Sequence, residues 1–420
     1  MTVIHAPERK SRLTLYILIA LVAGIILGYV FNQHFISRGT AAADQAKVLE
    51  PFSLMADIFL RLIKMIVAPL VFSTLVVGVA KLGDIKSVGR IGGKTMLWFV
   101  SASLVSLLLG MLLVNLFEPG AHMHLALPQV ADTGIQKAAL TLKDFLYHVF
   151  PVSIFESLAK NEILQIVVFA ILFGVATAAI GEKGTIIIKA FDAISHVILK
   201  ITGYVMKAAP LAVFGAMTAI IAKQGLGILA TYSIFIGEFY TGLLLLWIVL
   251  FLAGYLVIGK RIANLFARIK DPILLAFSTS SSEAAFPKTL QELERFGCNN
   301  KIVSFVLPLG YSFNLDGSMM YMTFASLFIA QSYGIHLDWG TQISMLLVLM
   351  LTSKGIAGVP RASLVVIAGT LATFNIPEAG LALLLGIDPL LDMGRSATNV
   401  VGNSVATAVV SKWEGSLDHS

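Results

Sequence analysis

Five polar side chains, Asp388, Asp392, Arg395, Asn399 and Asn403, stand in the otherwise apolar stretch LLLGIDPLLDMGRSATNVVGNSVATAVV. Their spacings of four, three, four and four residues put all five on one face of a helix. Arg395 is planar and permanently charged, so it can hold a carboxylate through two parallel N–H donors. It can equally be satisfied within the chain, because an acid at i−3, here Asp392, meets it on the helix surface, and Asp388 lies further along the same face. Two acids beside one arginine leave one acid over, and a spare buried acid suits a cationic group on a ligand. In a bilayer such a face is costly, at about 2.5–3.5 kcal/mol for a charge near the centre.

The rest of the chain says where that helix sits. Of 420 residues, 57% are hydrophobic and 13% charged, and the mean hydropathy is +0.87. Soluble domains carry about 25% charged residues, so this is an integral membrane protein. Long Leu, Ile and Val runs without period-2 alternation indicate helices rather than an outer-membrane barrel. One cysteine, Cys298, excludes an internal disulfide framework and a cysteine-based zinc site. The net charge of +6 is the basic excess expected in cytoplasmic loops, and no nucleic-acid partner is implied.

Eight segments are expected to span: about 13–31, 52–79, 96–117, 163–180, 194–221, 228–258, 302–330 and 379–410. The first exceeds a signal-peptide core of about 7–15 residues and is read as a retained helix. The second carries Asp57, Arg61 and Lys64, so one of its faces is wet or packed on protein, and Pro69 is expected to kink it. Arg9, Lys10 and Arg12 precede the first span. Lys81, Lys86, Arg90 and Lys94 separate the second and third, Lys260, Arg261, Arg268 and Lys270 follow the sixth, and Lys412 follows the last. With these loops inside, both termini are cytoplasmic.

Two further apolar segments have centres rich in small residues. They are DPILLAFSTSSSEAAFPKTL and TQISMLLVLMLTSKGIAGVPRASLVVIAGTLATF. Their halves are too short to span, so both read as re-entrant helical hairpins, about 271–297 and 341–375. Each precedes a helix with polar residues inside it, which suggests an inverted repeat with a site at the repeat interface. Hairpin-tip backbone is tolerated only where it lines a cavity or packs in protein, so the tips offer N–H and C=O groups to a ligand.

SFNLDGS, with Asn314, Asp316, Gly317 and Ser318, interrupts the seventh span. An unwound turn there either presents carbonyl oxygens to a cation or is a kink satisfied by its neighbours. STSSSEAAFP, with Ser280, Ser282 and Glu283, is rich in hydroxyls, which serve either a ligand or close helix packing. No G-x-S-x-G and no nearby histidine base support a hydrolase. The eight histidines show no metal-ligand spacing, and neither a Walker A nor a dinucleotide fingerprint is present. GIAGVP, with Gly355, Gly358, Val359 and Pro360, is a helix-breaking tip. These features together imply a secondary transporter, not an enzyme, for a small polar solute carrying both charges, with no cofactor; an anion channel, which needs a continuous polar pore rather than one occluded site, is the distant alternative.

STSSSEAAFP, SFNLDGS, SKGIAGVP and GIDPLLDMGRSATNVVGN resemble the signature motifs of the dicarboxylate/amino acid:cation symporters, the glutamate transporter family. The resemblance runs from about residue 13 to 413 and is greatest to bacterial proton–glutamate/aspartate symporters. It implies an all-α protein with eight transmembrane helices and two re-entrant hairpins. It also implies a homotrimer in the lipid of a bacterial inner membrane and an elevator-type movement. A scaffold would be formed by about 13–90 and 143–225, and a mobile transport domain by about 94–118 and 228–413. The second hairpin would be the gate, through Gly355, Gly358, Pro360 and Arg361.

By motif match, Arg395 and Ser318 would hold the substrate side-chain carboxylate, with Asp388 orienting Arg395. Asn399 and the first tip at Ser282 would hold the α-carboxylate. Asp392, Ser396 and the carbonyls of Ser280 and Val359 would hold the ammonium. The related C4-dicarboxylate carriers lack an acid at the place of Asp392, so its presence favours glutamate and aspartate over succinate, fumarate or malate.

Sodium-coupled members end the last motif in Asp, where this chain has Asn403. They also place Tyr, Thr and Ser oxygens on the third helix, where it has Phe99, Ala102 and Ser103. Losing oxygen ligands weakens a hard-cation site, and proton coupling is the expectation. A residual sodium site at Asn314, Asp316, Asn399 and Asn403 is the alternative. Animal members that move a proton have Glu where this chain has Met322, so Asp316, Asp392 and Glu283 are the candidate carriers.

Overall fold

The computed structural model describes residues 13–82, 85–122, 149–225, 232–353, 362–385 and 387–417. Among these the chain is helical, save an isolated bridge between Cys298 and Leu417. Apolar surroundings leave a helix no partner for its backbone except itself, and long Leu/Ile/Val/Ala runs satisfy that condition.

Chain order gives α1 (Leu13–Arg38), α2 (Ala42–Leu82), α3 (Ile85–Phe117), α4 (Ile154–Lys160) and α5 (Ile163–Ala179). Then come α6 (Gly184–Val205), α7 (Ala209–Gln224) and α8 (Ser233–Ile258). The first hairpin is α9 (Arg261–Thr279) and α10 (Ser282–Phe296), and α11 (Asn300–Phe313) and α12 (Asp316–Ser332) follow it. The second hairpin has arms α13 (Trp339–Thr352) and α14 (Ala362–Thr373), and α15 (Asp388–Trp413) closes the fold. The order hairpin, then polar helix, thus occurs twice.

Four described stretches are long and apolar enough to cross a membrane on their own: Leu15–Arg38, Lys86–Ala121, Gly181–Lys223 and Ser233–Ile258. The sequence leads one to expect eight. The difference has physical causes. α2 carries charges in its first half and is strongly apolar only over Met65–Lys81, α5 is apolar but only 17 residues long, the seventh span is broken at Asn314–Leu315, and α15 carries the polar face. Pro69 does not end α2, which continues through it.

The first hairpin starts earlier than expected. Arg261, Arg268 and Lys270 lie on α9 rather than in a loop, because Ile262, Leu265 and Ile269 of the same helix form a buried stripe. Gly259, at φ +62°, turns the chain out of α8. The second hairpin begins where Asp338 accepts a hydrogen bond from Thr341 N at 3.0 Å. Its tip, with Gly355, Gly358, Val359, Pro360 and Arg361, lies outside the described residues.

The chain divides into two compact units. One comprises residues up to 62 together with 203–226. In it α1 lies along α7, and Gly24 and Gly28, one turn apart, permit the approach: a Cβ on either would come within 2.8 Å of the Phe214 or Thr218 carbonyl oxygen. The second unit, 63–202 with 227–420, is organised around α15, which packs against α3, α8, α9, α10, α11 and α12. Its C-terminal end is tied to α3 by Glu414, which meets Arg90 at 2.9 Å and Lys94 at 2.7 Å. Burial pushes the Glu414 carboxyl up, but the hydrogen bonds from Arg90 and Lys94 outweigh it and hold the group below its ordinary range.

Candidate functional site

α15 is buried along almost its whole length, and its polar face splits into a charged cluster and an amide cluster. The charged cluster lies near its N-terminus. An Nη of Arg395 lies 3.0 Å from Asp388 Oδ1 and 3.0 Å from Asp392 Oδ1. The Arg395 and Asp388 side chains are 2% and 3% exposed, whereas Asp392 is 38% exposed. One acid is therefore sealed in and the other opens outward. The guanidinium stacks on the ring of Tyr321, 4.0 Å from its centroid, and the Tyr321 hydroxyl donates to Asp388 Oδ1 at 3.1 Å. Arg395 Nε is buried and has no hydrogen-bond partner among the described residues. It is a spare donor on the group best suited to a carboxylate.

Asn399 stands one turn past Arg395 and works on the opposing helix. Its Oδ1 accepts from Gly317 N at 2.9 Å and Ser318 N at 3.3 Å, and its Nδ2 donates to Ser318 Oγ at 3.2 Å. It thereby caps the first turn of α12, whose own N-cap, Leu315, has no side-chain acceptor. Ser396, just under one turn before Asn399 on α15, is buried at 4% exposure.

The amide cluster lies further along. Asn314 Nδ2 donates to Asp316 Oδ2 at 3.1 Å and to Asn403 Oδ1 at 3.3 Å. Ser106 Oγ reaches Asp316 Oδ1 at 3.3 Å, and Ser103 Oγ reaches the Phe313 carbonyl at 3.4 Å. Asn314 Oδ1 and Asn403 Nδ2 are buried without hydrogen-bond partners among the described residues. Glycines make this crowding possible: a Cβ on Gly402 would fall 1.8 Å from Asp316 Oδ2, and one on Gly310 would fall 2.2 Å from Asn403 Oδ1. Phe99 and Ala102, buried at 1% and 7%, present only carbon. Acceptors do converge here, as a small cation requires, but Asn403 brings an N–H donor where a second carboxylate would serve a cation better. Asn399 belongs with Ser318 instead, because its Oδ1 already serves two backbone N–H groups.

The first hairpin meets the charged end of α15. Ser280 sits at the tip in the left-handed conformation at φ +50°, and its Oγ donates to the Pro389 carbonyl at 3.4 Å. Ser281 caps α10 by accepting from Ala284 N at 3.3 Å. Ser282 and Glu283 occupy the first turn of α10.

A family model for the sodium:dicarboxylate symporter family matches residues 13–413. The chain belongs to that family. As a member it is a membrane transporter of a symporter class. The proton/sodium-glutamate symport protein of Geobacillus stearothermophilus is 42% identical over 97% of this chain and 96% of its own length. The C4-dicarboxylate transport protein of Rhizobium etli is also 42% identical, over 97% of this chain and 90% of its own. The proton/sodium-glutamate symport protein of Bacillus subtilis is 40% identical over 97% and 94%. The two names differ in whether the cargo carries an ammonium.

Three contributors escape a reading of motifs. Tyr321 supports both Arg395 and Asp388, and its place at i+3 from Ser318 on α12 is the signal that could have found it. Ser106 touches Asp316 from α3, one turn beyond Ala102. Tyr240 of α8 donates to the Leu390 carbonyl at 2.7 Å, and nothing in its local sequence marks it.

Proposed function

We propose that this symporter takes up acidic amino acids, L-glutamate and L-aspartate, driven by a proton gradient. The carrying observation is the asymmetry of the two acids on Arg395: Asp388 is sealed and hydrogen-bonded by Tyr321, while Asp392 is 38% exposed. A substrate carboxylate arriving at Arg395, with Nε still unused, displaces Asp392 from its ion pair. The released carboxylate then faces the substrate ammonium, so Asp392 exchanges one cationic partner for another. Asn399, Ser318, Ser396 and the tip at Ser280 and Ser282 complete the shell, together with Val359 of the second tip.

Proton rather than sodium drive is supported by Phe99 and Ala102, which contribute no oxygen, and by the Asn403 amide. Asp316, Asp392 and Glu283 are the groups available to carry the proton. The working assembly in this reading is a homotrimer in a bacterial inner membrane, with both termini cytoplasmic and an elevator movement gated at Gly355, Gly358, Pro360 and Arg361.

A C4-dicarboxylate cargo is the second reading. It is favoured by the 3.0 Å pair between Asp392 and Arg395, which a purely structural Asp392 would keep throughout. Uptake into proteoliposomes, with proton and sodium gradients imposed separately, separates the alternatives. Asp392→Ser is expected to reduce glutamate uptake about tenfold more than succinate uptake, the loss of one charge-assisted contact. Equal losses would assign Asp392 to Arg395 and favour the dicarboxylate reading.

A further inference from the structure

Tyr311, in the last turn of α11, belongs to no motif of the substrate shell. Its hydroxyl donates to the Ser282 carbonyl at 3.0 Å, and its ring meets Phe286 edge-to-face with centroids 5.1 Å apart. The hydroxyl also meets the Thr289 side chain, and all three contacts fall on the first two turns of α10, behind the hairpin tip. The tip itself is under strain. Ser280 adopts φ +50° without being glycine, a conformation in which its Cβ crowds the backbone. It persists only where its surroundings over-determine it. Three contacts do so: Ser280 N donates to Phe277 O at 3.3 Å, Ser281 N to Ala276 O at 3.1 Å, and Ser280 Oγ makes its long bond to Pro389. None of these three reaches past the cap, Ser281, into α10 itself. Tyr311 does, from a helix that continues directly into Asn314 and the amide cluster.

We propose that Tyr311 is a positioning residue for the substrate. By holding the Ser282 carbonyl it fixes the start of α10, so that the first turn keeps its place against the polar side of α15. The inference rests on the reading that the tip contacts substrate, and it names a residue that sets this contact from behind. A hydroxyl on Ser282 O also couples the tip to the break between α11 and α12, so an adjustment at Asn314 is transmitted to the tip through one rigid side chain.

The test compares Tyr311→Phe with Phe286→Leu in the full-length protein. Tyr311→Phe removes only the hydroxyl, while Phe286→Leu removes the ring packing and leaves the hydroxyl in place. A nitroxide on Thr279→Cys reports tip motion, and the chain's single native cysteine, Cys298, is buried. Loss of the hydroxyl's hold on the start of α10 predicts that Tyr311→Phe weakens glutamate binding about three- to tenfold, at unchanged maximal uptake, with a more mobile label. Phe286→Leu is expected to lower the melting temperature with a smaller change in affinity. Unchanged label mobility in Tyr311→Phe overturns the proposal, whatever the affinity does. An equal affinity loss in both variants also overturns it, because packing rather than the hydroxyl would then be responsible. If the wild-type protein binds no acidic amino acid, the cargo assignment fails, and the label alone still decides whether Tyr311 holds the tip.

Discussion

The two polar clusters on α15 are eight residues apart, or about 12 Å along the helix, yet they are built on opposite principles. Around Arg395 the groups are charged, one acid is sealed in by Tyr321, and the second is 38% exposed. Around Asn403 the groups are amides and hydroxyls about one acid, Asp316, all of them buried. The first cluster carries one negative charge more than its arginine balances, and it opens that charge outward. The second leaves two buried atoms without partners among the described residues, an acceptor on Asn314 and a donor on Asn403. Excess charge at an opening suits a charged organic cargo that can be exchanged. An enclosed amide pocket suits something small, or nothing larger than a proton. One helix face holds two chemistries because its partners differ: Tyr321 and the first hairpin at one end, α3 and the break after Phe313 at the other.

Removing the centre of the charged cluster should have the largest effect. Arg395→Ala leaves the sealed Asp388 without its cation. Breaking one partner from a buried pair costs about 3–5 kcal/mol, which is over a hundredfold in affinity. Acidic-substrate uptake should vanish in protein that still elutes as a folded species by size exclusion. Near-normal glutamate binding by this variant would mean that the two clusters do not divide the work as described.

Asn403→Asp should convert the amide cluster toward the other type. It replaces the unused Nδ2 donor by a second carboxylate oxygen near Asp316, and Asn314 then lies between two acids. Two neighbouring carboxylates cannot both stay charged without a cation. The variant should therefore acquire a melting temperature that rises with sodium and not with choline, along with sodium-stimulated uptake. A variant indifferent to sodium in both measurements would place the coupling ion elsewhere in the molecule.

Most of the charged face is legible in sequence, because period and residue type alone align Asp388, Asp392, Arg395, Asn399 and Asn403, and α15 forms as that pattern requires. The turn of the first hairpin and the interruption after Phe313 are also legible, since small residues and the Asn-Leu-Asp turn oppose a continuous helix, and the two arms of the second hairpin form where the sequence places them. The start of α9 is not. Its basic residues look like a loop until the stripe of Ile262, Leu265 and Ile269 shows that they cover the outer face of an amphipathic helix. Nor is the role of Gly310 and Gly402, since a glycine in an apolar helix gives no sign of which carboxylate or amide fills the space beside it. The motif places Asn399 with the substrate, but its capping of α12 depends on a helix–helix approach that no local pattern encodes.

The smallest expected effect tests how much of the charged cluster is held from the opposing helix. Tyr321 acts on it twice, through its ring beneath Arg395 and its hydroxyl on Asp388. Tyr321→Phe keeps the ring, and with it the stacking at 4.0 Å, and removes only the bond to Asp388 Oδ1. The acid remains paired to Arg395, so the loss is one hydrogen bond to a charged group, about 1.5–3 kcal/mol at most. Part of that is recovered, because an Asp388 freed from Tyr321 can pair more fully with Arg395. A guanidinium drawn toward Asp388 in this way leans away from Asp392, which should loosen the pair that substrate must open. Glutamate affinity should then change by no more than about tenfold, while the melting temperature falls, and Tyr321→Leu, which also deletes the stacking, should cost clearly more of both. If Tyr321→Phe proved as damaging as Arg395→Ala, Asp388 rather than Arg395 would be the centre of the cluster, and the contrast between a charged and an amide end would have to be redrawn around the acid.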